Sequence, residues 1–192
     1  MAEEKLTQSK IAILGDSQVG KTAILIRFNK GTFSSTTQPT IGAGALTITM
    51  NTQNGPLKVQ IWDTAGQERF RSLIPLYSKG SVLGIFVYSI SSDESFQHLS
   101  DWINVFRETA DNCMEGIIVG NKSDLTLERE VDFEKGQNFA FSRNMGFFET
   151  SAKNGENIIE LFNEVGRRLS QIESHPNTSS ANLETQSKKS CC

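Results

Sequence analysis

The chain has 192 residues, 37% of them apolar, which suits one domain with a single hydrophobic core and is a tight fit for two. Nineteen basic residues against 22 acidic ones give a net charge of -3, so the composition carries no electrostatic footprint for nucleic acid. No stretch approaches the ~18 consecutive apolar residues of a membrane span, the polar start from Met1 to Lys10 has no secretory hydrophobic region, and the three cysteines (Cys113, Cys191, Cys192) form no disulfide framework, which points to a reducing, intracellular compartment.

Lys10-Ile11-Ala12-Ile13-Leu14 is a short apolar run ending at Gly15 and reads as a buried strand. Gly20 to Lys30 reads as a helix with Ile24, Leu25 and Phe28 on one side. Thr32 to Gly44 has no period and reads as a long loop. Ala45 to Thr52 and Leu57 to Trp62 both alternate: Leu46, Ile48 and Met50 in one, Leu57, Val59 and Ile61 in the other. Asn54-Gly55 between them tolerates positive φ, so the two runs are expected to form an antiparallel hairpin.

Ser81 to Ser89 reads as a buried strand, and Glu94 to Ala110 as a helix with Phe96, Leu99, Ile103, Phe106 and Ala110 spaced by three and four. Gly116 to Gly120 is a further strand, Phe133 to Arg143 a helix and Gly146 to Thr150 a short strand. Ile158, Leu161, Phe162, Val165 and Leu169 mark a last amphipathic helix. His175 to Cys192 is almost entirely polar and is expected to be a disordered tail. The expected organisation is an extension over 1–9, one domain over 10–173 and a tail over 174–192. Strands separated by helices imply an α/β fold with a mostly parallel sheet covered on both faces. The ligand of such a sheet sits at the C-terminal ends of its strands.

Gly15-Asp16-Ser17-Gln18-Val19-Gly20-Lys21-Thr22 fits G-x-x-x-x-G-K-[ST] and lies directly after a strand and at the start of a helix. The glycines let the backbone wrap around phosphate oxygens at a helix N-terminus whose dipole favours an anion. Lys21 can reach the β- and γ-phosphates, the Thr22 hydroxyl can ligate Mg²⁺, and Ala23 completes the first helical turn of the binding set. This motif alone specifies a nucleoside triphosphate, neither the base nor the reaction.

Ile61-Trp62-Asp63-Thr64-Ala65-Gly66-Gln67-Glu68 supplies a second group of candidates. Asp63 ends an apolar strand, the position of a carboxylate that holds the Mg²⁺ shell. Gly66 can bring its N–H to the γ-phosphate, and Gln67 can orient an attacking water because its amide both donates and accepts. Thr40, in the long loop, can place its hydroxyl on the metal and its N–H on the γ-phosphate; otherwise it is a polar loop residue. Such contacts exist only with the triphosphate and would make the loop a two-state element.

Asn121-Lys122-Ser123-Asp124 follows the strand through Ile117, Ile118 and Val119. The Asp124 carboxylate can accept from N1–H and the exocyclic amine of guanine, a donor pair that adenine lacks. The Lys122 stem can lie along the base, and Asn121 can tie this loop to the phosphate loop. In Ser151-Ala152-Lys153 the Ala152 N–H can meet guanine O6. Phe33 either stacks on the base or packs against the protein.

Taken together, the chain resembles the Ras superfamily of small GTPases and, within it, the Rab family. The match runs from about Lys10 to about Leu169, with the phosphate loop, Trp62 to Phe70, Asn121 to Asp124 and Ser151 to Lys153 in the family's order. Three features resemble Rab in particular: Lys58-Val59-Gln60-Ile61-Trp62-Asp63, the switch-helix stretch Arg69-Phe70-Arg71-Ser72-Leu73, and the ending Cys191-Cys192. The resemblance implies a P-loop G domain of six strands and five helices, and GTP hydrolysis assisted by Mg²⁺ between GDP-bound inactive and GTP-bound active forms. It also implies exchange factors, GTPase-activating proteins, a GDP-dissociation inhibitor or escort protein, and effectors that bind the switch regions. The double cysteine looks like a geranylgeranylation site, and two lipids anchor stably where one is marginal. The expected setting is the cytoplasm and the cytoplasmic face of intracellular membranes, in vesicle traffic. A nucleotide-binding scaffold with negligible hydrolysis is the alternative.

The sequence departs from the family at Ala43-Gly44-Ala45, where Rab proteins usually have Val-Asp-Phe, at Tyr77-Ser78-Lys79-Gly80, and at Ser89. None of these positions touches the nucleotide chemistry.

Overall fold

Valine, isoleucine and leucine crowd the short runs between glycines, and such near-continuous apolar runs suit the strands of a sheet covered on both faces. In the computed structural model, which describes residues 8–35, 43–52, 54–64, 74–110 and 115–174, these runs form one six-stranded sheet. Its strands are β1 (Gln8–Leu14), β2 (Ala43–Thr52), β3 (Gly55–Thr64), β4 (Leu83–Ser89), β5 (Gly116–Asn121) and β6 (Gly146–Thr150), in the spatial order β2-β3-β1-β4-β5-β6. β1 runs parallel to β3 and β4, and β5 runs parallel to β4 and β6. Only β2 is antiparallel, paired with β3 from Ala43 opposite Thr64 to Thr52 opposite Gly55, as the Asn54-Gly55 turn requires.

The helices are α1 (Lys21–Lys30), α2 (Ile74–Ser78), α3 (Asp93–Gln97), α4 (Leu99–Thr109), α5 (Phe133–Phe141) and α6 (Ile158–Ser174). They split the core in two, because successive side chains of a strand point to opposite faces. Ile11 and Ile13 of β1 face a layer that includes Ile24 and Leu25 of α1 and Leu161, Phe162 and Val165 of α6. Ala12 and Leu14 face the other layer, built from Phe96, Leu99, Trp102, Ile103 and Phe106 of α3 and α4 and Ala140 of α5. Phe28 of α1 stacks on Phe162 of α6 with ring centroids 3.8 Å apart.

The elements differ from the sequence reading mainly at their ends. The long loop gives way to β2 at Ala43, and β1 begins at Gln8. β4 starts at Leu83, two residues later than expected, and the Val82 N–H just before it donates to the Lys10 carbonyl of β1. The expected single helix from Glu94 to Ala110 is two helices meeting at His98, with Ala110 already extended. Counting this bent arm once leaves the five flanking helices of the expectation. α5 stops at Phe141, where Ser142 ends the helix and the Met145 N–H returns to the Ala140 carbonyl. α6 continues to Ser174, past the expected domain boundary. Thr40, Gly66, Gln67, Cys113, Cys191 and Cys192 lie outside the described residues, as does Arg69 to Leu73.

Candidate functional site

Four of the parallel strands end on the same edge of the sheet, and the candidate residues follow those ends. Gly15 follows β1, Asp63 lies near the end of β3, Asn121 ends β5 and Ser151 follows β6. The first loop needs glycine where it bends. Gly15 has φ +143°, and a Cβ there would run into the Val87 carbonyl of β4. Gly20 has φ +98°, and a Cβ there would strike the Asn121 side chain. Gly20 also begins α1, whose first turn has no capping side chain and no acidic residue. Its N–H groups are therefore oriented for an anion rather than for a side chain of the protein.

Lys21 lies inside this loop with 5% exposure. Its ammonium donates to the Gly15 carbonyl at 2.8 Å and to the Asp16 carbonyl at 2.7 Å. Burial pushes its pKa down to about 8, against the opposing pull of Asp63 and Asp16. A buried cation held mostly by neutral carbonyls is short of negative charge, and a phosphate group would supply it.

Thr22 and Asp63 come together across 41 residues: the Thr22 hydroxyl donates to Asp63 Oδ2 at 2.6 Å. Asp63 Oδ1 is buried with no partner of its own, and burial raises the carboxyl's pKa despite Thr22 and Lys21. The Thr64 hydroxyl donates to the Ile13 carbonyl at 2.8 Å and holds the end of β3 against β1. A hard cation fits this pair, since both offer oxygen and one carboxylate oxygen is unsatisfied. Among the described residues no three His, Cys, Asp or Glu side chains are grouped to hold a metal. The cation would therefore rely on Thr22, Asp63 and ligand oxygens, as Mg²⁺ does when it accompanies phosphates.

The residues expected to read the base form one connected group. Asn121 Nδ2 donates to the Val19 carbonyl at 2.8 Å, while its Oδ1 accepts from the Thr150 hydroxyl at 3.2 Å. The Ala152 N–H reaches the same Oδ1 at 3.3 Å, a long contact that leaves the hydrogen available for sharing. The Ser151 hydroxyl donates to Asp124 Oδ1 at 2.6 Å, and Lys153 Nζ stands 3.5 Å from Asp124 Oδ2. Lys122 has φ +67° and is partly buried, and desolvation lowers its pKa. Ser123 turns away to Glu156, donating at 2.7 Å. Phe33 is 40% exposed on the loop after α1 and has no aromatic partner among the described residues.

Two contacts were not read from the sequence. Both carboxylate oxygens of Asp16 are taken by the α3–α4 arm, Oδ1 by Trp102 Nε1 and Oδ2 by His98 Nδ1, each at 2.7 Å. Arg27, near the end of α1, donates to the carbonyls of Ala152 and Lys153. A polar residue amid the apolar periodicity of the arm and a basic residue in the last turn of α1 were the only signals available. Neither names its partner.

A model of the Ras family matches residues 10–171. The chain is 41% identical to Ras-related protein Rab-22A of Mus musculus over 192 residues, covering 97% of this chain and 99% of the relative. It is 40% identical to the Rab-22A proteins of Canis lupus familiaris and Homo sapiens over the same spans.

Proposed function

Because the chain belongs to the Ras family and is a Rab-like small GTPase, we propose that it hydrolyses GTP at this site with Mg²⁺ and directs vesicle traffic by recruiting effectors to membranes. The observation that carries the hydrolytic reading is the Thr22–Asp63 hydrogen bond with its unsatisfied second carboxylate oxygen.

In this reading the loop from Gly15 to Thr22, with Ala23, wraps the phosphates, and Lys21 holds charge against the β- and γ-oxygens. Mg²⁺ held there would supply positive charge against the phosphate oxygens as GDP departs from the γ-phosphoryl group. Thr22 and Thr40 would hold it directly and Asp63 through water. Gly66 would present its N–H to the γ-phosphate, and Gln67 would orient the attacking water. Asp124 and Ala152 read the base, Lys122, Ser151 and Lys153 line it, and Phe33 covers it. An arginine from a GTPase-activating protein would add roughly 10³–10⁵-fold to the rate.

Effectors would read the face where Trp62 stacks on Tyr77 at 5.4 Å, with Lys10 Nζ 4.9 Å from the Trp62 ring. The register sets exposed Ala45 opposite Trp62, so this face lacks an aromatic that Rab effectors commonly meet. No helix among the described residues is long and apolar enough to cross a membrane. Membrane attachment would come from lipids on Cys191 and Cys192, and the cycle would employ exchange factors and a GDP-dissociation inhibitor or escort protein.

Competition of labelled GDP by GTP and by ATP, with single-turnover phosphate release measured with and without a GTPase-activating protein, tests the reading. Guanine-selective binding with stimulated release is expected. Binding without stimulated release would leave a nucleotide-dependent scaffold, and binding of ATP in preference to GTP would overturn the site assignment.

A further inference from the structure

We propose that Arg27 is a positioning residue for guanine recognition: it fixes the shape of the Ser151–Lys153 loop and so sets both base selectivity and the rate of nucleotide release. The proposal rests on the assignment of Asp124 and Ala152 to the base.

Among the described residues, the hydrogen bonds of the Arg27 guanidinium go to carbonyl oxygens of the chain's own loops. Its Nε donates to the Ala152 carbonyl at 2.7 Å, one terminal nitrogen donates to the Lys153 carbonyl, and the other donates to the Gly31 carbonyl at 2.7 Å. The Gly31 N–H returns to the Arg27 carbonyl at 2.9 Å, closing the end of α1. Gly155, at φ +92°, lies beside the arginine stem, where a Cβ would make an ordinary contact 3.9 Å from Arg27 Cδ. A planar fork of donors is needed to hold successive carbonyls at once, and a lysine ammonium has no such fork.

The consequence follows from where these bonds lie. The peptide planes that begin at the Ala152 and Lys153 carbonyls come directly after the Ala152 N–H, the group placed to meet guanine O6. Ala152 is 4% exposed, so the loop has little freedom once these planes are fixed. α1 opens with Lys21 and Thr22 at the phosphates and closes on Arg27 at the base loop. One rigid helix therefore spans both ends of the nucleotide, and its last turn also leads into Phe33. Loosening the Arg27 contacts would release the base side while the phosphate loop stays intact.

The test uses the full chain with Arg27→Gln and Arg27→Lys, each first checked by thermal melting. Release of fluorescent GDP is timed in Mg²⁺, and GDP is then competed by 6-thio-GDP and by IDP. The thio analogue keeps the donors that Asp124 accepts and weakens only the acceptor at position 6, whereas IDP removes the amine. Arg27→Gln is expected to release GDP roughly tenfold faster, the loss of about one hydrogen bond. Its preference for GDP over 6-thio-GDP should shrink while that for GDP over IDP holds. Arg27→Lys should fall between, and it supplies the reading if Arg27→Gln does not fold. Unchanged thio discrimination in a folded variant, even with faster release, overturns the proposal and leaves the arginine a structural brace. Failure of the unaltered protein to prefer GDP over IDP would sink the base-site assignment itself.

Discussion

Asn121 and Val19 are 102 positions apart, yet Asn121 Nδ2 donates to the Val19 carbonyl at 2.8 Å and joins the half of the site proposed to read the base to the proposed phosphate loop. The same side chain accepts from Thr150 and Ala152 through its other end and is 1% exposed. Asn121→Ala would strip a buried carbonyl and a buried hydroxyl of their partners together, each worth about 1–3 kcal/mol when left unsatisfied. GDP affinity in an equilibrium titration is expected to fall about 10–100-fold, with a lower melting temperature. Unaltered affinity would mean the two halves do not depend on this bond.

Asp124 offers acceptors only, and the Ser151 hydroxyl already occupies one side of Oδ1. An amide at this position presents an N–H toward the guanine amine, setting donor against donor. Xanthine carries an oxygen there instead. Asp124→Asn is therefore expected to lose GDP and gain XDP, with the ratio of affinities moving by about 10²-fold or more. Competition of labelled GDP by each nucleotide reads the ratio, and no shift toward XDP would count against Asp124 as the base reader.

Much of this site was legible because each part is local. Gly15 to Thr22 is a single turn between a strand and a helix, Asp63 ends an alternating run, and Asn54-Gly55 dictates the hairpin of β2 and β3. The bend at His98 was hidden because Phe96, Leu99, Ile103 and Phe106 keep helical spacing straight through it and all pack into one core. α2 has five residues, fewer than two turns, and so shows no period. The Asp16–Trp102 and Arg27–Ala152 bonds span 86 and 125 positions. They exist only because a particular order of strands brings α4 and the loop after β6 against the two ends of the phosphate loop and α1.

The Asp16 contacts carry a prediction of their own. The Asp16 carbonyl receives Lys21 while its carboxylate receives Trp102 and His98, so the arm braces the residue on which the lysine rests. Trp102→Phe keeps an aromatic in the α4 core and removes one donor. Its expected cost is about 1–3 kcal/mol of stability in denaturant unfolding, because a partly buried carboxylate oxygen loses its partner. GDP release should also quicken. Combined with His98→Ala, the losses should not add, since both donors serve one carboxylate. Additive losses would show that each bond acts alone.

Glu164 on α6 contributes to the acid side of stability. It accepts from Arg167 through Nε and Nη2 and from Arg168 Nε, all at 2.7 Å, and Arg168 also pairs with Glu115 at 2.7 Å. The Arg167 bonds, then those of Arg168, hold its pKa down to about 2 from an ordinary 4.5. A carboxyl whose pKa is depressed by folding contributes stability that is complete above about 4.5 and is lost as pH falls toward 2, because the unfolded chain takes up the proton first. Glu164→Gln removes that contribution at neutral pH and has nothing further to lose in acid. The cluster is partly solvated, so the difference at pH 7 should be about 1 kcal/mol or less and should shrink in high salt. Denaturant unfolding at several pH values should show the unaltered protein losing its advantage over the variant between pH 4.5 and 2. Parallel curves across that interval would mean the arginines do not favour the ionised form of Glu164 in the folded chain.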